Sequence, residues 1–204
     1  MPRLGVIDYG MGNLRSVLNA LDEVGQDSAL VSLPEDVAKY EGIIIPGVGA
    51  FSQAMANLRA SGMDSALQDH VASGKPLLGI CLGMQLICRQ SHEDGEHRGL
   101  GWVDAEVRHF PSGKKLKVPH MGWNAIDFES SHPLLNEVSP GADVYFVHSY
   151  YVDCANDGIS LGTTEHGIRF TSIVGHGNVF GMQFHPEKSQ HVGMQLLRNF
   201  ATLQ

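Results

Sequence analysis

Basic residues are scarce in this chain: 14 Lys and Arg stand against 22 Asp and Glu, for a formal net charge of −8. A deficit of that size excludes the broad basic face that a nucleic-acid binder presents. The one basic cluster, Lys114-Lys115-Leu116-Lys117, is flanked by Gly113 and Pro119 and reads as a solvated hairpin end. No apolar run approaches the ~20 residues of a membrane span, and Met1–Val6 enters a predicted strand at once, which leaves no room for a signal peptide. Only 3 cysteines occur (Cys81, Cys88, Cys154), an odd number without paired spacing, which excludes a disulfide framework and fits a reducing cytoplasm. Histidine is plentiful at 11, yet none of the spacings matches a ligand pattern such as His-Glu-x-x-His, so no metal site is expected. No cofactor is expected either. Gly10-Met11-Gly12 follows the first predicted strand as a dinucleotide fingerprint would begin, but Arg15 stands where the third glycine is required.

What remains is an ordinary globular composition, with 43% hydrophobic and 18% charged residues over 204 positions. This length suits one well-cored domain spanning residues 1–204. The first half alternates strand and helix signals. Strands are predicted at Leu4–Asp8, Ala29–Val31, Ile43–Ile45 and Leu77–Ile80. Helices are predicted from an Asn13 cap through Val24, at Phe51–Leu58, at Met63–Val71, and from Met84 through Arg89. In the second half, strand-like runs at Trp102–Phe110, Asp143–Val152, Ser160–Thr164, Thr171–Val174 and Val179–Phe184 are separated by turns. A closing helix follows a Ser189 cap. The pattern is α/β: a mostly parallel central sheet flanked by helices, with an antiparallel portion in the C-terminal half.

Chemistry concentrates at Gly79-Ile80-Cys81-Leu82-Gly83. A cysteine at a sharp strand-to-helix turn, with a glycine two residues away on each side, has the form of a nucleophile elbow. Backbone N–H groups at the helix start favour a thiolate there. A buried core cysteine closing a strand is the plainer alternative. A cysteine nucleophile needs a base and the base an orienting group. Gln183-Phe184-His185-Pro186-Glu187-Lys188-Ser189 offers both, since Pro186 biases His185 to extended geometry, where residues two apart share a side. The same segment also reads as a surface loop. Pro46-Gly47-Val48-Gly49-Ala50-Phe51, after the third strand, is placed to present backbone N–H groups to an oxyanion, or is merely a turn into a helix.

Taken together, these three segments resemble the triad-type (class I) glutamine amidotransferases. Asp8–Ser16, Pro119–Asn124 and Tyr145–Tyr151 are further similar to the glutaminase-subunit branch of imidazole glycerol phosphate synthases. The resemblance runs from the first strand to the last helix and implies a flavodoxin-like architecture. It implies Cys81, His185 and Glu187 as catalytic residues, and an oxyanion hole from Leu82 and the Gly47–Val48 peptide. Glutamine would be held by Gln85, Glu93 and backbone around Gly49, Ser149 and Tyr150. It also implies a (β/α)₈-barrel cyclase partner in a heterodimer, fed with ammonia, which forms imidazole glycerol phosphate and an aminoimidazole carboxamide ribonucleotide. Asn13, Trp123, Tyr145 and Lys188 would lie at the interface and its ammonia gate, or be ordinary core and surface packing. Gln85 alone could be a solvent-facing helix residue, and Glu93 one acid of a polar loop. Two other functions stay open from the residues: a glutaminase serving a different acceptor, and a non-catalytic relative whose cysteine senses redox state.

Overall fold

The computed structural model of the protein describes residues 3–111, 116–128 and 131–203. Its elements are β1 (Leu4–Ile7), α1 (Leu14–Glu23), β2 (Ser28–Val31), β3 (Gly42–Gly47), α2 (Phe51–Ser61), α3 (Met63–Ala72), β4 (Leu77–Cys81) and α4 (Leu82–Leu86). The chain continues through β5 (Cys88–Ser91), β6 (His97–Arg98), β7 (Val103–His109), β8 (His120–Ile126), β9 (Ala142–His148), β10 (Tyr150–Cys154), β11 (Ser160–Glu165), β12 (Arg169–His176), β13 (Val179–Met182) and α5 (Gln190–Ala201). The main sheet has the order β2-β1-β3-β4-β13-β12-β10-β7-β5-β6, with β11 paired to β12, and β8 and β9 form a separate antiparallel pair. The first five strands in that order are mutually parallel. Antiparallel pairings join β13, β12, β10 and β7. The α/β architecture expected from the sequence is the one observed.

Alternation along the buried strands explains the two-sided cover. Ile44, Leu78 and Ile80 face one cluster, where α1 contributes Val17 and Leu21 and α5 contributes Leu196, Leu197 and Phe200. Ile43, Ile45 and Leu77 face the other, with Phe51 and Leu58 of α2, Leu67 of α3, and Leu82, Met84 and Leu86 of α4. A parallel sheet buried on both faces reads as continuous apolar runs for this reason.

Several sequence expectations are corrected. Asp143–Val152 is not one strand: it divides at Ser149, sending β9 to the small sheet and β10 to the main one. The helix predicted through Arg89 stops at Leu86, because Cys88 and Arg89 enter β5 and pair toward β7 and β6. Asn13 and Ser189 do precede α1 and α5, but neither side chain caps its helix. Gly10 and Gly12 adopt φ of 83° and 125°, so Gly-Met-Gly is a tight strand-to-helix turn. Lys114 and Lys115 of the predicted hairpin end lie outside the described residues.

The elbow is where the sheet is tightest. A β-carbon on Gly83 would lie 1.8 Å from the Ile45 carbonyl oxygen, and one on Gly79 would lie 2.4 Å from the Gly83 carbonyl oxygen. Both obstacles are backbone, so no side chain can swing aside. Gly83→Ala is therefore expected to destabilise the fold by about 3 kcal/mol or more, toward the upper end of overpacking effects. A urea midpoint matching that of the unmodified protein would contradict this close approach.

Candidate active site

Register places the chemistry. β4 lies between β3 and β13, both parallel to it, so three C-terminal strand ends open on one edge. Gly47 pairs directly with Cys81 across the β3–β4 ladder, and Met182 pairs with Ile80 across β13–β4. Gln183-Phe184-His185 therefore leaves β13 on one side of Cys81 while the Gly47-Val48-Gly49 loop leaves β3 on the other. In open α/β sheets, ligand sites form at such carboxyl ends.

Cys81 has φ 54° and ψ −107°, a conformation costly to a residue with a β-carbon, and it is buried. Its Sγ lies 3.9 Å from Gln183 Nε2 and 4.0 Å from the Val147 carbonyl oxygen. His185, also buried, donates from Nδ1 to Glu187 Oε1 at 2.8 Å, inside a pocket that hides both side chains. The pair meets through the short 3-10 turn Pro186–Lys188 and not through strand alternation, which corrects the geometric reason expected from sequence. His185 Nε2 is buried and meets no partner within ordinary hydrogen-bond limits, while the Cys81 sulfur lies near enough to act on the imidazole. Burial lowers the imidazole pKa, but the adjacent Cys81 sulfur and the Glu187 carboxylate raise it more, to about 9. A raised folded-state value favours the fold fully below the ordinary ~6.5. That contribution is lost as pH rises through about 9.

The other predicted residues fall as follows. Leu82 begins α4 immediately after Cys81, and Gly47 admits no side chain because a β-carbon there would meet the Tyr9 hydroxyl at 2.4 Å. Val48 is exposed and Gly49 takes φ 105°. Glu93 accepts the Phe51 N–H at 2.6 Å, which fastens the loop's far end at the start of α2. Gln85 is buried, not solvent-facing: its Nε2 donates to the Tyr150 carbonyl and to Gln183 Oε1, both at 3.2 Å. With both amide hydrogens engaged, Gln85 can offer a ligand only its Oε1 acceptor. Ser149 and Tyr150 are half-buried where β9 gives way to β10.

Trp123, Tyr145 and Lys188 come together: the two rings meet edge to face with centroids 6.0 Å apart, and Lys188 Nζ lies 5.9 Å from the Tyr145 ring. Asn13 is exposed at the start of α1. Among the described residues no cluster of three or more His, Cys, Asp or Glu side chains could hold a metal ion, and no helix is long and apolar enough to cross a membrane.

Two contributors escape sequence reasoning. Gln183 sits beside the sulfur with its amide oriented by Gln85. Ser189, expected as a helix cap, instead donates to the His185 carbonyl at 2.6 Å and accepts the Tyr145 N–H at 3.0 Å. His185 N–H in turn donates to the Tyr145 carbonyl at 2.9 Å, so β9 holds the histidine turn by its backbone. The spacing of Gln183, two before His185, was the available signal; Ser189 left none that separates it from a cap.

A family model described as glutamine amidotransferase class-I matches residues 5–203. This chain belongs to the class I glutamine amidotransferases. Curated relatives matched over nearly their whole length are named imidazole glycerol phosphate synthase subunit HisH. The protein of Bacillus velezensis is 50% identical, covering 98% of this chain and 96% of that one. That of Moorella thermoacetica is 45% identical, covering 100% and 96%. That of Bacillus subtilis is 46% identical, covering 98% and 96%. Among solved structures, PurLQS from Thermotoga maritima superposes with a TM-score of 0.76 at 21% identity, covering 98% of this chain and 97% of that one, a likeness of fold. At this level of relatedness to the HisH proteins, the chain is the glutamine amidotransferase subunit of an imidazole glycerol phosphate synthase.

The amidotransferase's His185–Glu187 contact gives a direct test. A carboxylate at this distance moves a neighbouring pKa by ~1–3 units. Glu187→Gln should lower the His185 titration midpoint, followed by NMR of the ring nitrogens, by about one unit or more from its position near 9. An unmoved midpoint would separate Glu187 from the imidazole's charge.

Proposed function

We propose that this amidotransferase hydrolyses glutamine to glutamate and ammonia through a thioester on Cys81. The observation that carries the reading is the placement of Cys81 at a strained elbow, with Gly47 in register on one side and the His185–Glu187 pair on the other. The Cys81 sulfur, its proton taken by His185, attacks the side-chain carbonyl carbon of glutamine. The resulting oxyanion is met by the Leu82 N–H and by one N–H from the Gly47–Val48 peptide, an arrangement in which one lost donor costs ~10²–10³ in rate. His185 returns the proton to the leaving nitrogen, ammonia departs, and the thioester remains. His185 then takes a proton from water as its oxygen adds to the thioester carbon. Collapse breaks the C–S bond, releasing glutamate and restoring the thiol. Gln85 Oε1, Glu93 and the backbone at Gly49, Ser149 and Tyr150 hold the substrate. Residues 1–204 act as one amidotransferase domain in the cytoplasm.

The ammonia is handed to a (β/α)₈-barrel cyclase subunit, which uses it to form imidazole glycerol phosphate and an aminoimidazole carboxamide ribonucleotide on the histidine pathway. Support comes from the exposed apolar side chains of Met121, Trp123 and Val48, at 61%, 49% and 43%. Large apolar side chains left in water, two of them two residues apart on β8, are the kind of surface that marks interaction sites. Asn13, Trp123, Tyr145 and Lys188 form that interface and gate the ammonia passage. The oxyanion peptide carries the exposed Val48, so a partner that covers this loop orients that donor, and the enzyme rests until its partner switches it on.

Glutamate release should be slow from the isolated subunit and rise when cyclase and its ribonucleotide substrate are added. Cys81→Ala should lose ~10⁴-fold or more of the stimulated rate, as nucleophile removal does elsewhere. Substantial turnover by that variant removes the thioester route, and co-purification with a synthetase or chorismate-using partner would reassign the acceptor.

A further inference from the structure

Three side chains in the small sheet and its exit form a chain of hydrogen bonds that the hydrolysis above does not use. Asn124 Nδ2 lies 3.1 Å from His120 Nε2, His120 Nδ1 lies 2.9 Å from His148 Nε2, and His148 Nδ1 lies 2.7 Å from the Tyr150 carbonyl oxygen. Both histidines are buried. The directions of these bonds are forced from both ends. At the outer end, Asn124 Oδ1 accepts the Ala125 N–H at 2.9 Å and Nδ2 donates to the Glu165 carbonyl at 2.9 Å, which fixes the amide and makes His120 Nε2 the acceptor. At the inner end a carbonyl can only accept, so His148 Nδ1 carries the hydrogen and Nε2 is its lone pair. His120 Nδ1–H then fills that lone pair. One arrangement satisfies every atom: two neutral imidazoles, each protonated on Nδ1 alone. A third proton would set two N–H groups against each other.

The chain ends on the same carbonyl that receives Gln85 Nε2, and Gln85 also orients the Gln183 amide beside the Cys81 sulfur. Ring packing fixes the imidazole planes. His120 lies between Phe146 and His166, with centroids 4.6 Å and 4.0 Å away and both pairs stacked. We infer that Asn124, His120 and His148 are positioning residues for the glutamine pocket, holding the Tyr150 carbonyl, and through it the Gln85 carboxamide, in the orientation that leaves Gln85 Oε1 free for substrate. The inference rests on the glutaminase reading for its substrate but not for its tautomers. It also gives Asn124 a task distinct from that of Trp123, its neighbour on β8.

Nitrogen NMR of histidine-labelled protein at pH 7 should find both His120 and His148 neutral and protonated on Nδ1; a charged ring, or a hydrogen on Nε2 of either, overturns the inference. Glutamine turnover measured with the cyclase present gives the second readout. His148→Phe keeps the ring volume and removes both nitrogens. It should raise KM for glutamine by roughly 5–10-fold, about the effect of one lost hydrogen bond, while kcat and alkylation of Cys81 by iodoacetamide stay within about twofold. Asn124→Ala, which leaves the buried rings in place, should give a smaller KM rise with a mixture of His120 tautomers, and decides the matter should His148→Phe fail to fold. Unchanged KM in the folded variants overturns the inference. Absence of turnover by the unmodified enzyme would sink the glutaminase reading instead, with the tautomers still deciding this one.

Discussion

The β3–β4–β13 register is the constraint on which the site depends. Two parallel ladders flank β4, and each aligns a different neighbour with its last residues: Gly47 with Cys81, and Met182 with Ile80. A one-residue slip in either ladder would turn every side chain of the shifted strand to the opposite face. Such a slip is resisted by Ile43, Ile44 and Ile45, which alternate between two filled cores. The apolar content of these strands thus sets the position of the polar groups at their ends, with Cys81 itself packed into one of the two cores.

The second organising feature is the way the small sheet is fastened to the large one. Tyr145 in β9 holds the His185 turn through a pair of backbone contacts, one direct and one through Ser189. The same strand carries the ring that meets Trp123 and Lys188. Three residues further on, His148 reaches the Tyr150 carbonyl. Surface and site are therefore separated by a single strand whose two faces serve both. A displacement of β9 would reach the imidazole through hydrogen bonds with little slack, since buried donors and acceptors are costly to leave unpaired.

Much of this was legible in the chain. Apolar runs ending in Pro46-Gly47 and in Cys81 announced parallel strands, and the spacing of Leu14, Val17, Leu18 and Leu21 announced α1. The elbow, the His-Pro-Glu segment and the glycine loop could each be read as chemistry or as ordinary structure, and only their conjunction was specific. The rest lay beyond local pattern. The split of Asp143–Val152 into two sheets turns on which partners lie alongside, a non-local matter that alternation cannot report. Ser189 has the residue type and position of a helix cap, and tertiary contacts override that role. Gln85 was legible as a glutamine contact only through the family resemblance, since its helix position alone also fits a solvent-facing residue, and α4 is in fact buried along its whole length.

The left-handed backbone at Cys81 bears on how such a protein can change over generations. A residue with a β-carbon held at φ 54° costs about 1–3 kcal/mol relative to a relaxed turn. Glycine is the residue for which that conformation is free. Substitution to glycine at this codon thus relaxes the backbone, at the loss of a side chain buried in the core and of the thiol proposed as nucleophile. On the proposed mechanism, backbone ease and chemistry pull the same position in opposite directions, and a lineage that ceased to need the thiol would keep only the cost of holding it.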